Sequence, residues 1–126
     1  MLPKSERLKD KYLFNATFNI GKKNRQKLNS NLLTIYYLFK KKDINTLPRT
    51  SFICGLRIDK KANKRNLIKR RMRAAYQLIK KKLISTNKEC LSSISVLIFI
   101  ANPAIKDATF EQIKEMIQGL LARIVR

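Results

Sequence analysis

Arg65, Lys69 and Arg73 are spaced i, i+4, i+8. At about 100° per residue they form one cationic stripe on an α-helix, and Lys80 continues it. Lys60, Lys61, Lys64, Arg70, Arg71, Lys81 and Lys82 crowd the same interval, and no acidic residue falls between Asp59 and Glu89. Helix faces that serve only solubility usually mix in Glu at i+4 to relieve like-charge repulsion, and nothing relieves it here. The chemistry this suits is polyanion binding, in which guanidinium forks take phosphate oxygens in pairs and ammonium groups act as point charges. Asn66 lies inside the stripe and is a poor helix former, so a capping role is the first expectation. Its amide could also donate to and accept from a ribose hydroxyl or a base edge.

The rest of the composition agrees with an anionic partner. The chain has 126 residues with 29 Lys+Arg against 8 Asp+Glu, a net charge of +21. A compact fold carrying that charge repels itself unless a polyanion offsets it, and nucleic acid leads the candidates. His is absent, which removes the commonest general acid/base near neutral pH and every His-containing metal site. The eight carboxylates form no evident two-metal cluster. Asp107, Glu111 and Glu115 fall on one face of an expected terminal helix, where the dipole of its first turn accounts for them. Cys54 and Cys90 form no C-x-x-C pair and are expected as buried, reduced thiols. Charged residues precede any apolar stretch of signal-peptide length, and no run approaches 18 apolar residues, so a cytoplasmic protein with no membrane partner is expected.

The elements that must position the stripe follow from periodicity. Leu13, Phe14, Thr17 and Phe18 predict a short amphipathic helix over 5–20, with Gly21 as its cap. Residues 21–27 suit a solvated loop or irregular strand. The aromatic and branched run 32–39 predicts a strand, and alternation over 52–58 predicts a second, the two forming an antiparallel hairpin. Ile68, Met72, Ala75, Tyr76, Ile79 and Leu83 recur at steps of three and four, giving a long helix over 63–84. The continuous apolar run 96–100 reads as a central strand covered on both faces and ended by Asn102-Pro103. Thr109 and Gln112 have capping-box spacing ahead of the stripe Phe110, Ile113, Ile117, Leu120 and Ile124. The order is αββαβα, with one further strand possible around the hairpin. No repeat or Gly/Ser linker divides the chain, and 44% hydrophobic residues can line one core, so one α+β domain over 1–126 is expected.

Lys60-Lys61 followed by Arg65-Asn66-x-x-Lys69-Arg70-Arg71-x-Arg73 resembles the RNR signature of the bacterial ribonuclease P protein component. Phe14-x-x-Thr17-Phe18-x-x-Gly21 is similar to that family's N-terminal helix motif, with Thr17 where Val is more usual. Gly55-Leu56-x-Ile58-x-Lys60-Lys61 is similar to its strand ending in a Lys pair. Ile100-Ala101-Asn102-Pro103 resembles its I-A-R-P segment, with Asn102 in place of Arg. The link from Lys61 to Arg65 is shorter than the family's usual one. The resemblance spans nearly the full chain and implies a single-domain αβββαβα sandwich with a left-handed β-α-β crossover.

It also implies a function: the accessory protein subunit of an RNA-based endoribonuclease that removes 5′ leaders from precursor tRNA. The catalytic centre would then lie in the RNA, with no catalytic residue and no cofactor in this chain, and magnesium would act in the holoenzyme through the RNA. By motif match, Lys60, Lys61, Arg65, Asn66, Lys69, Arg70 and Arg73 would contact the catalytic RNA, and Phe14, Phe18 and Tyr36 would line a cleft for the single-stranded leader. Stacking on rings tolerates any base. Core packing is the competing account of each ring. A small basic ribosomal or RNA-scaffolding protein, or a DNA-compacting one, would share the charge and size, but neither expects Phe14-x-x-x-Phe18 together with the RNR run.

Overall fold

The most apolar run of the chain takes the middle of the sheet. In the computed structural model, which describes Leu8, residues 15–17, Asn19 and residues 27–39, 48–86 and 94–124, strands β1 (Lys27–Asn29), β2 (Leu33–Phe39), β3 (Arg49–Ile53) and β4 (Ile94–Ala101) form one sheet. Its order is β1-β2-β4-β3. β2 pairs antiparallel with β1 and β4, and β3 pairs parallel with β4. Helix α1 (Ala62–Thr86) makes the crossover from β3 to β4. A 3-10 turn (Pro103–Asp107) and helix α2 (Phe110–Ile124) follow. Residues 15–17 and Asn19 are helical; the remainder of the expected first helix, with Phe14, Phe18 and Gly21, lies outside the described residues. The product is one mixed α+β domain.

The expected hairpin between the second and third strands does not form, because β4 lies between them. Ile94, Val96, Leu97, Ile98 and Phe99 are all fully buried, and a strand apolar on both faces must occupy the centre rather than an edge. β3 is also shorter and earlier than the alternation over 52–58 suggests. Ile58 N donates to Gly55 O at 3.1 Å, and this turn ends the ladder and leaves Leu56 at 70% exposure. The further strand is β1, which begins at the end of the segment expected to be a solvated loop or irregular strand. Ser30 closes its turn to β2: its Oγ donates to Leu33 O at 2.6 Å and accepts from Leu33 N at 3.1 Å.

Both helices pack on one face of the sheet. The ring of Phe99 stacks on Phe52 at 5.1 Å and meets Tyr76 of α1 at 5.3 Å, and this aromatic cluster joins Ile68, Met72 and Ile79 of α1 to Ile113, Ile117 and Leu121 of α2. The capping box of α2 forms as expected, with Thr109 N donating to Gln112 Oε1 at 2.9 Å and Gln112 N to Thr109 Oγ1 at 3.2 Å. Asp107 belongs to the 3-10 turn, ahead of α2, so only Glu111 serves the first turn of that helix. The opposite face of the sheet carries a smaller cluster of Leu8, Tyr36, Val96 and Ile98. A register shift at Leu38/Phe39 explains why Ile94 and Val96, two residues apart, point to different clusters.

Candidate nucleic-acid interface

The turn before α1 is held from three sides. Asp59 Oδ1 accepts from Lys61 N at 2.9 Å, and Lys106 Nζ, from the 3-10 turn, lies 3.1 Å from Asp59 Oδ2. The backbone N–H of Lys61 holds the Asp59 carboxyl below its ordinary range; burial opposes it, and the Lys106 ammonium reinforces it. Arg65 reaches back from α1, its Nη1 donating to Asp59 O and Lys60 O, both at 2.9 Å. Lys60 and Lys61 are left exposed, beside a first helical turn with no acidic residue and with its N–H groups pointing the same way.

Along α1, Arg65, Lys69 and Arg73 are half-buried, while Asn66 and Arg70 are exposed. Taking Arg65 as zero, helical geometry places Lys69, Arg73, Asn66 and Arg70 at about 40°, 80°, 100° and 140°. These five therefore share one flank. Its inner edge leans over β3: the Arg73 guanidinium sits 5.8 Å from the centre of the Phe52 ring. Lys69 and Arg65 pull on the buried Cys54 thiol at the end of β3, although burial outweighs them and pushes its pKa up. Cys54 is a free thiol; Cys90 lies outside the described residues. The seven residues carried by the RNR resemblance are thus brought together as one cationic surface. Arg71 and Lys64 project from the other flank. Asn66 is not a cap, since α1 begins at Ala62 and Asp59 serves its start, so the amide faces solvent among the cations.

On the sheet face opposite α1 and α2, Tyr36 is 7% exposed and its neighbours Val96 and Ile98 are fully buried. Lys27 Nζ lies 5.3 Å from the Tyr36 ring centre, and Leu8 N donates to Thr50 O of β3 at 3.0 Å. Alternation along β1 and β3 puts exposed Lys27 and Arg49 on this face at opposite edges. Sequence reasoning missed these two cations, because a three-residue strand gives no period and β3 was placed too late. Asp59 and Lys106 were missed as well; the Asp three residues before the helix was the available signal. Asn102 Nδ2 donates to Ser30 O at 2.7 Å and to Thr34 Oγ1 at 3.2 Å, so the residue that replaces Arg ties the β1–β2 turn to the end of β4. Among the described residues no three of His, Cys, Asp or Glu lie together as a metal site, and no helix is long and apolar enough to cross a membrane.

Solved structures of ribonuclease P proteins share this fold. That of Staphylococcus aureus is 22% identical with a TM-score of 0.73 and covers 98% of this chain and 100% of its own. That of Thermotoga maritima is 20% identical with a TM-score of 0.67, covering 94% of this chain and 96% of its own. No curated protein sequence matches the chain. The Ribonuclease P family model matches residues 2–125; the chain belongs to that family, and the membership implies an RNA partner.

Proposed function

We propose that this chain is the protein subunit of ribonuclease P, that it docks on the catalytic RNA through Lys60, Lys61, Arg65, Asn66, Lys69, Arg70 and Arg73, and that it receives the 5′ leader of precursor tRNA in a cleft on the sheet face opposite α1 and α2. The observation that carries this is the gathering of all seven RNR residues on one flank of α1 and the turn ahead of it. A patch so placed meets the backbone of folded RNA as a rigid row of phosphate contacts. By motif match Phe14, Phe18 and Tyr36 would take the leader bases, with Lys27 and Arg49 on the sheet face that carries Tyr36. On this reading the metal-dependent chemistry would belong to the RNA, and this chain would contribute binding of the RNA and of the leader.

Reconstitution tests this function: the protein, a bacterial ribonuclease P RNA and precursor tRNA are mixed at low magnesium, and leader removal is followed. No stimulation by the folded protein would leave it a basic ribosomal or RNA-scaffolding protein. For the cleft, Phe14→Ala or Phe18→Ala should weaken holoenzyme affinity for precursor tRNA roughly 5- to 150-fold, from about 1–3 kcal/mol per stacked base, and leave leaderless tRNA nearly untouched. Circular dichroism first establishes that each variant folds. Equal losses on both substrates would assign these rings to packing.

A further inference from the structure

An open groove of about 660 Å3 runs between the β1–β2 turn, the 3-10 turn and α2. Leu32, Ala108, Met116 and Leu120 give it an apolar floor, and Asp107 and Glu115 stand on its rim. In a chain with 29 basic residues, neither of these two exposed carboxylates forms an ion pair with a described residue, whereas Glu111, one turn away, holds Lys114 at 3.3 Å. Gly119 lines the same groove in the interior of α2. Glycine is the poorest helix-interior residue after proline, and a Cβ added here would meet nothing within 4 Å. The folded chain therefore gives no packing reason for it. A glycine at such a place admits the close approach of another backbone.

A matching surface exists on this same chain. Leu67 and Leu78, 45% and 49% exposed, are the exposed large apolar residues of the described helices. They are eleven residues apart on α1, about 16 Å along its axis and within about 20° around it, with Ala74 between them. Arg71 flanks this stripe on one side and Lys81 on the other. The groove follows α2 from Gln112 to Arg123, the same eleven residues. Arg123 at its far end leaves the acidic match at the Asp107–Glu115 end.

We propose that the groove receives the Leu67–Leu78 stripe of α1 from a second copy of this chain, with Arg71 of the incoming helix against Asp107 and Glu115. The contact is heterologous, one surface on each copy, so it propagates from copy to copy unless a ring closes. It uses the side of α1 facing away from the Arg65–Lys69–Arg73 ridge, with Arg70 about 60° from the stripe as the nearest of the proposed RNA contacts, and it does not rest on the ribonuclease P assignment. Free copies oppose it through their charge of +21 each, and screening salt removes that opposition.

Sedimentation of nuclease-treated full-length protein in sulfate tests the contact with two one-sided variants. Gly119→Leu fills the groove and leaves the stripe; Leu67→Glu with Leu78→Glu spoils the stripe and leaves the groove. The wild type is expected to gain mass with concentration, each variant alone to remain monomeric, and an equimolar mixture to sediment as a dimer, since each supplies the surface the other lacks. Gly119→Ala serves as the mild counterpart: it should melt higher than wild type yet associate roughly tenfold more weakly. A wild type that stays monomeric, a one-sided variant that associates like wild type, or a mixture that stays monomeric overturns the proposal.

Discussion

Arg65 combines two duties that Arg65→Lys separates. Its guanidinium adds charge to the RNR flank, and its Nη1 braces the turn carrying Lys60 and Lys61 through Asp59 O and Lys60 O, both at 2.9 Å. A lysine keeps the charge but places one ammonium on a flexible stem, without the planar fork. Hydrogen bonds from a charged donor contribute about 1.5–3 kcal/mol each when buried. One of these is half-buried and the other exposed, so water replaces much of what is lost and the sum falls to about 1–2 kcal/mol. For a domain of this length that is a fall in melting temperature of about 3–10 °C. The slope of log affinity for the RNA subunit against log salt should stay at the wild-type value, because the number of phosphates met by a positive charge is unchanged. Lys69→Ala should behave oppositely, with a near-native melting temperature and a slope shallower by roughly 0.7–0.9. Calorimetry and a salt series of binding isotherms read the two effects separately. An Arg65→Lys protein that melts like wild type would refute the brace, and one whose slope falls like that of Lys69→Ala would refute the division between brace and ridge.

Phe99→Ala should cost about 3–5 kcal/mol, since it opens a cavity under Phe52 and Tyr76 in the centre of the core; denaturant midpoints measure this, and a loss below about 1 kcal/mol would show that the cluster is not the centre. Asp59 has a folded pKa below its unfolded value, so its stabilising contribution is complete above the ordinary carboxylate range and is lost as pH falls through the lower, folded value. Asp59→Asn should therefore lower the melting temperature at neutral pH, with the difference closing in acid; a difference independent of pH would contradict an Asp59 carboxylate held by the Lys61 N–H and by Lys106. Sulfate should raise the melting temperature more than chloride at matched ionic strength, by binding clustered basic sites in the native state, and identical midpoints would leave only general screening.

The helices were legible in the sequence because their apolar spacing repeats over several turns. Ile68, Met72, Ala75, Tyr76 and Ile79 marked the inner face of α1, so spacing alone put Arg65, Lys69 and Arg73 on one stripe, whereas Lys60, Lys61, Asn66 and Arg70 joined them only through the RNR resemblance. The pairing of strands was not legible in the same way. Alternation shows which face of a strand is wet but says nothing about its neighbour, and 32–39 and 52–58 looked like a hairpin because they follow one another. The apolar run at 94–101 held the decisive information: a strand with no wet face has to be central, which forces β2 and β3 apart. The turn at Gly55–Ile58, the brace from Arg65 and the amide of Asn102 were illegible for a different reason, since each depends on contacts between residues whose spacing has no period.

The central position of β4 also sets how the two proposed RNA surfaces are coupled. β3 belongs to both: Phe52 lies under Arg73 on the helix side, while Arg49, Ser51 and Ile53 face the opposite side. A substitution in β3 thus disturbs the RNR flank and the sheet face together, and a binding defect there cannot be assigned to either. Lys27 on β1 stands three strand spacings away, about 14 Å across the sheet, and Arg70 lies on the outer surface of α1. Neither touches β3. The coupling between the surfaces is therefore measured by the pair Lys27→Ala and Arg70→Ala: beyond about 7–10 Å, effects without shared partners add to within roughly 0.3–0.5 kcal/mol. Additivity in leader affinity would mean that the two faces act separately, and a larger deviation would mean that RNA bound on one side reaches across the edge of β3 to the other.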